Sequence, residues 1–513
     1  MLHEMFRAAA CLHSSKLAVV GHAGRLTYQQ LEAEALRLAQ ELLRLGAREG
    51  DRVAVLMANS AEAAVAIWAV LEAGCVLVPL HAAARAEVLY PVLRDAEPRW
   101  LIAGGELSAA FPALLSNHPG IAHLLAWSAS PDMKTGSDPR VVPWSLAPAD
   151  ASPHAPSISP SQDPASLAAL IYTSGTTGEP KGVMLSHANM LAALSAVNAY
   201  LNLDSGDVIY SALPLSSSYG LYQLVLGLAV GATVVLDRSF AFPARSLALI
   251  AEEKASVFAG VPTMYAWMAT TPTLDVYDLS RLRILTSAAA ALPFEHARRV
   301  RERLPDARLF VMYGQTECKR ITYLEPADLE RKPGSVGRGM PYQEHAVVDE
   351  SGVPVAPGDI GELVVRGPHV MQGYWRNAEA TAHKLRPIAG SPGPWMHTDD
   401  LFRIDEEGYL YFVGRRDDIL KIGGHKVSPR EIEEVLCQMP EIREAAVVGM
   451  PDPLWGQAAR AHLVLREGAN CDAEAVIRFC KARLRAFMVP KTVVFELDLP
   501  KTESGKVKKR EFS

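Results

Sequence analysis

Between residues 27 and 80 the chain alternates short apolar runs with stretches of helical period, and this alternation restricts it to layered α/β architectures. Thr27 and Gln30 have capping-box spacing, and Leu31, Ala35, Leu38, Leu42 and Leu45 recur at helical intervals until Gly46 ends the pattern. An apolar run at 53–57, a helical stretch at 61–71 and a second run at 76–80 follow. Strands that are apolar throughout and separated by helices belong in sheets covered on both faces. With 513 residues the chain exceeds what a single core organises, so two or three domains are expected.

Composition removes several function classes. Lys and Arg total 51 against 57 Asp and Glu, and the net charge of -6 gives no global attraction to nucleic acid or to an anionic membrane. A polyanion must therefore be held by a local site. At 49% hydrophobic and 21% charged residues the composition is that of a folded globular protein. The six cysteines form no C-x-x-C pair, so neither a disulfide framework nor a zinc site is indicated, and a reducing cytoplasm fits best. His3 and Glu4 stand where a signal peptide needs a basic stretch and an apolar run. The apolar stretches 63–71, too short to span a bilayer, and 221–236, broken by Gln223 and two glycines, read as buried core rather than membrane spans.

Chemistry concentrates after residue 166. The segment 128–166 is dense in Ser, Pro and Asp and reads as a surface excursion, whereas 167–172 reads as a buried strand. That strand runs into Thr173, Ser174, Gly175, Thr176, Thr177, Gly178, Glu179, Pro180, Lys181 and Gly182. Two glycines, five hydroxyls and a lysine within residues 172–181 suit a polyphosphate, because backbone N–H groups approach closely where side chains are absent. No Walker pattern can be laid over the string. Further on, 408–413 reads as a strand and 414–418 is short and charged. Ser428 as N-cap, Pro429 at the first helical position and Glu431 then open a new helix. A domain boundary near Asp417 is expected.

Residues 172–189, YTSGTTGEPKGVMLSHAN, resemble the signature loop of the acyl-adenylate-forming enzymes, the group of acyl- and aryl-CoA synthetases, adenylation domains and luciferases. Tyr313-Gly314-Gln315-Thr316-Glu317 is similar to that family's Y-G-x-T-E. Asp400 in His397-Thr398-Asp399-Asp400 occupies the place of its T-G-D aspartate. Gly414-Arg415-Arg416-Asp417-Asp418 resembles its hinge, and Leu499-Pro500-Lys501-Thr502-Glu503-Ser504-Gly505-Lys506 its C-terminal lysine motif. Order and spacing agree across essentially the whole chain. The resemblance implies an α/β fold. Residues 1–413 would form a large N-terminal domain of two parallel-sheet subdomains plus a small β-barrel, 414–417 a hinge centred on Asp417, and 418–513 a small mobile α+β domain.

The resemblance also implies roles. Thr316 would contact the α-phosphate and Glu317 would hold Mg²⁺, while Lys181 and Lys506 offset the repulsion between a carboxylate and the α-phosphate of ATP. Asp400 and Arg415 would fix the ribose hydroxyls. Thr173 to Gly178, Ala289, Ala290, Tyr313 and Gly314 complete the nucleotide site, and Gly423 and Gly424 would line the thiol tunnel after rotation at Asp417. Ser217, Ser218, Tyr219, Gly220, Gly260 and Ala288 would surround the acid.

Three departures from the family pattern carry expectations of their own. Asp399 replaces a glycine and adds negative charge beside the ribose site. Ala288-Ala289-Ala290-Ala291-Leu292-Pro293 replaces S-G-G-A-x-P, which narrows the cleft and disfavours positive φ. Ser216, Ser217 and Ser218 replace an aromatic-histidine pair. Alanines and serines there favour a compact acid with an amino or hydroxyl substituent. The expected activity is an AMP-forming carboxylate–CoA ligase acting on a small aromatic acid of the benzoate or anthranilate type, with ATP, Mg²⁺ and CoA. The alternatives are loading of an acyl carrier protein, a medium-chain fatty acyl-CoA synthetase, and a catalytically weak nucleotide-binding regulator.

Overall fold

The computed structural model describes residues 1–22, 24–128, 138–146, 163–174, 179–501 and 507–512. The expected alternation is realised: Thr27 caps the helix Tyr28–Arg44 in a capping box with Gln30, and the apolar stretch 61–71 becomes the helix Ala61–Glu72. Every residue of that second helix is buried, which its lack of a polar face requires. Strands Arg52–Leu56 and Val76–Leu80 pair in parallel on either side of it in sequence.

Two large sheets follow from this pattern. In the first, Arg52–Leu56, Val76–Leu80, Trp100–Gly104, His123–Trp127 and Val141–Trp144 are joined in parallel to Leu167–Ser174, and the antiparallel hairpin Leu167–Ser174 with Pro180–Ser186 lies toward one edge. In the second, five parallel strands lie in the order Arg308–Tyr313, Ile284–Ser287, Val257–Gly260, Val208–Ser211 and Thr233–Leu236. Leu17–Val20 adds to it in parallel, with Val19 opposite Val234. One continuous apolar core, including Val55, Trp68, Ile171, Tyr210 and Phe310, runs between the two sheets.

The apolar stretch 221–236, expected as core, is buried in two pieces, the helix Ser218–Ala229 and the strand Thr233–Leu236, with Gly231 at φ +78 forming the turn. Where the small barrel was expected, five antiparallel strands pair around Ile360–Arg366, Ser391–Ile404 and Leu410–Arg415. Beyond it, Ile442–Asp452, Gly456–Leu465 and Thr492–Glu496 form a separate three-stranded sheet with its own core around Ile432, Leu436, Leu463 and Val476. The helix Pro429–Leu436 begins where Ser428 and Pro429 place it. The Ser428 hydroxyl, however, donates to the carbonyl of Val413 rather than capping the helix, and so ties the helix start to the end of the preceding strand. No helix among the described residues is long and apolar enough to cross a membrane.

Candidate active site

Asp400 lies on the strand Ser391–Ile404 directly opposite Arg415 on Leu410–Arg415, so sheet register alone brings the two together. Its side chain is buried and accepts hydrogen bonds from the Tyr313 hydroxyl at 2.5 Å and from Gln315 Nε2 at 2.9 Å. Arg415 Nε stands 3.7 Å from the other carboxylate oxygen and is half exposed, able to reach a ligand. Burial pushes the Asp400 carboxyl above its usual range, and Arg415, Tyr313 and Gln315 oppose the shift. Gln315 also donates to the carbonyl of Thr398 at 2.8 Å, stitching the loop after Arg308–Tyr313 to the antiparallel sheet. Gln315 occupies the variable position of the Y-G-x-T-E string, which is why sequence reasoning passed over it.

The phosphate end is organised by a tyrosine that sequence reasoning also missed. Glu317 is buried and accepts a hydrogen bond from the Tyr374 hydroxyl at 2.7 Å. Lys181 Nζ lies 5.5 Å from the centre of the same ring, so Tyr374 spaces the loop lysine from the acid. Lys181 itself is opposite Thr173 in the hairpin register. Gly314 makes the turn possible, since a Cβ there would fall 2.5 Å from the Lys319 carbonyl oxygen. Thr316 is partly exposed between Gln315 and Glu317. Gly175, Thr176, Thr177, Gly178 and Lys506 lie outside the described residues, as do the side chains of Ser174 and Asp417. The second oxygen of Glu317 has no hydrogen bond among the described residues, and a single hard carboxylate is what magnesium needs when phosphates and water supply its other ligands.

On the acid side the structure assigns structural work to several expected residues. The Ser217 hydroxyl accepts from the N–H of Gly220 at 3.0 Å and donates to the Pro214 carbonyl at 2.8 Å, so it caps the helix Ser218–Ala229. It is engaged by the chain rather than turned toward an acid. Gly220 is fixed by packing, because a Cβ would meet the Pro214 oxygen at 2.2 Å. Tyr219 is buried, with its hydroxyl 2.9 Å from the carbonyl oxygen of Thr286 and 2.8 Å from its Oγ1. Gly260 abuts the Phe258 and Tyr265 rings, and Ala288 is buried beyond Ser287. Ala290 is exposed. Gly423 and Gly424, at φ +56 and +83, form the tight turn between Leu420–Ile422 and His425–Val427.

Two expectations need correcting. Ala289 adopts φ +75, so the alanine run takes the left-handed conformation it was expected to avoid, at the cost of backbone strain. Asp399 likewise sits at φ +61, yet its carboxylate is 2.8 Å from the ammonium of Lys384, whose side chain is almost fully buried. The extra negative charge beside the ribose site is thereby neutralised. Behind it, Glu362 is buried and accepts from the Asp399 N–H at 2.9 Å and Arg416 at 3.0 Å, with His397 Nδ1 at 2.9 Å. Burial would raise the Glu362 carboxyl, but His397, the Asp399 N–H and Arg416 outweigh it and hold the group below the ordinary range.

Comparison with known proteins gives the family. Residues 6–375 match the family described as AMP-binding enzyme, and residues 431–506 match the AMP-binding enzyme C-terminal domain. A long-chain-fatty-acid–CoA ligase of Bacillus subtilis is 32% identical over 99% of this chain and 93% of its own length. A feruloyl-CoA synthase of an Amycolatopsis species is 35% identical over 97% of this chain and 96% of its own length. The crystal structure of an anthranilate CoA ligase in complex with anthranoyl-AMP superposes over 100% of this chain and 96% of that chain, with a TM-score of 0.87 at 27% identity.

Proposed function

We propose, for a chain that belongs to the AMP-binding enzyme family and is an ATP-dependent, AMP-forming acyl-CoA synthetase, that the acid it activates is small and aromatic, of the benzoate, anthranilate or hydroxybenzoate type. The observation that supports this reading is that Tyr219 is pinned to Thr286, two residues before Ala288 and three before the strained Ala289, so an aromatic ring and small side chains border the space the acid would take. A flat acid fits such a space better than a long flexible chain. The anthranilate and feruloyl relatives support the same direction.

In the first half-reaction a carboxylate oxygen of the acid attacks the α-phosphorus of ATP, and the bond to the pyrophosphate oxygen breaks. Asp400 accepts from the ribose hydroxyls and Arg415 donates to them, which holds the α-phosphorus in line with the acid. Thr316 positions the α-phosphate, and Lys181, Lys506 and the hydroxyls and N–H groups of residues 173–178 disperse the charge on the phosphates. Glu317 would hold magnesium, which supplies charge neutralisation at the phosphates. In the second half-reaction the CoA thiolate attacks the acyl carbon and AMP leaves with the bonding electrons. Rotation at Asp417 brings Gly423 and Gly424 to the path of the thiol, where their lack of side chains leaves room.

Acid-dependent exchange of labelled pyrophosphate into ATP, across aryl and aliphatic acids, tests the reading. Exchange is expected with aryl acids, followed by a thioester once CoA is added. Turnover confined to fatty acids would overturn the aromatic assignment.

A further inference from the structure

Between Glu362 and Val364 on the strand Ile360–Arg366 lies one residue, whereas between their partners Leu401 and His397 on Ser391–Ile404 lie three, Thr398, Asp399 and Asp400. The second strand therefore bulges, and a bulge removes ladder hydrogen bonds that other groups must supply. Side chains supply them here. Thr398 Oγ1 donates to the Leu363 carbonyl at 2.7 Å and accepts from the Asp400 N–H at 3.2 Å, while the Asp399 N–H donates to Glu362 Oε1 at 2.9 Å. Asp399 holds φ +61 in the middle of this bulge. The bulge ends on Asp400, the residue that would accept from the ribose hydroxyls.

The second oxygen of Glu362 reaches toward the adjoining strand. Arg416 donates to Oε2 at 3.0 Å, with His397 Nδ1 at 2.9 Å and Arg386 at 3.5 Å. Arg416 directly follows Arg415, which stands opposite Asp400 in the sheet register. One carboxylate, 2% exposed, thus grips the residue before Asp400 and the residue after Arg415. A buried ion cluster adds little net stability over an apolar filling of the same shape, because desolvation offsets the attraction. What it supplies is direction: each bond to Glu362 prefers a narrow range of length and angle, and a side chain aimed at a ligand tolerates only about 0.5 Å of drift. We propose that Glu362 is a positioning residue for the nucleotide. Through the Asp399 N–H and the Arg416 guanidinium it aims Asp400 and Arg415 at the ribose, and so sets how strongly the enzyme prefers a ribonucleotide to a deoxyribonucleotide. The inference rests on the reading that Asp400 and Arg415 take the ribose hydroxyls, and it is independent of which acid is activated.

Calorimetric binding of ATP, 2′-deoxy-ATP and 3′-deoxy-ATP to the full chain, with magnesium and without any acid, tests the proposal. The readout is the ratio of Kd values, deoxynucleotide over ATP, in which any loss of folded protein cancels. The parent is expected to give a ratio of about 10 or more, the worth of one hydrogen bond to a charged group, and Asp400→Asn, the control for the ribose reading, a ratio below about 3. Glu362→Met removes both grips and is expected to bring the ratio at least about threefold below the parent's, with the deoxynucleotide Kd values changed by less than about twofold. Arg416→Met removes one grip and is expected to give a smaller drop, and the double variant no more than Glu362→Met alone, since both act through one carboxylate. Arg416→Lys keeps a cation for Oε2 and is expected to stay within about twofold of the parent. A parent ratio near one, or a ratio that Asp400→Asn leaves unchanged, overturns the ribose reading and the inference with it. A ratio that Asp400→Asn collapses but that Glu362→Met and Arg416→Met leave unchanged, with all three nucleotides weakened alike or not at all, overturns the positioning role alone. Arg416 is half-exposed, so if Glu362→Met does not fold, the ratio in Arg416→Met decides.

Discussion

At the ribose wall Asp400 is buried inside a ring of partners, with Tyr313, Gln315 and Arg415 all facing it, and the neighbouring Asp399 and Glu362 are matched by Lys384, Arg416 and His397. Behind the helix Ser218–Ala229, Lys319 and Arg320 are buried as deeply, and they meet a carbonyl, aromatic rings and the Tyr200 side chain rather than a described carboxylate. The partners of Asp400, Asp399 and Glu362 all come from the chain itself, so the ribose wall is balanced internally. Buried basic side chains met by neutral groups keep the cost of their burial, whereas a buried carboxylate ringed by donors has that cost offset.

The contrast can be broken at the ribose wall first. Glu362→Gln removes the acceptor shared by Arg416, His397 and the Asp399 N–H, and a loss of about 3 kcal/mol in denaturant unfolding is expected. Because the Glu362 carboxyl is held low, its contribution is complete above the unfolded carboxylate range and is lost as pH falls through its folded value. The parent should therefore lose stability on acidification more steeply than the variant; parallel acid limbs would contradict the assigned network. Next, Asp400→Asn should lower kcat/KM for ATP about a hundredfold, about 2.7 kcal/mol, in the exchange assay. A change confined to the acid's KM would instead place Asp400 on the acid side.

Smaller effects separate strain from pairing. Ala289→Gly should raise unfolding free energy by about 1 kcal/mol, since glycine adopts φ +75 freely. Asp399→Gly relieves similar strain but forfeits the Lys384 pair, so a net change within about 0.5 kcal/mol is expected. A gain at Asp399 as large as at Ala289 would mean that the ion pair contributes nothing.

Much of the architecture was legible because local rules and tertiary demand coincide in it. Thr27 and Gln30 announce a helix start that the fold uses unchanged, and the apolar run 61–71 has no face that water could cover. The ribose pair was legible only through motif resemblance, since no periodicity links Asp400 to Arg415; they meet through strand register. Lys319 and Arg320 were invisible for a physical reason. Two cations after a loop motif ordinarily lie in solvent, and nothing local reveals that Tyr219 and Tyr222, a hundred residues earlier, fold over them. Asp399 and Ala289 were noticed as departures and misread, because neither the Lys384 partner nor the backbone angle is written in neighbouring residues.

The pairing of Leu17–Val20 with Thr233–Leu236 sets a schedule for synthesis. A ribosome adding about 5–20 residues per second reaches the partner strand roughly 10–40 s after releasing the first. Throughout that interval Ala18, Val19 and Val20, which end with almost no exposed surface, have only the short strand Arg25–Thr27 to pair with. Slowing translation over residues 20–230 should cost yield of folded protein more than slowing it anywhere later.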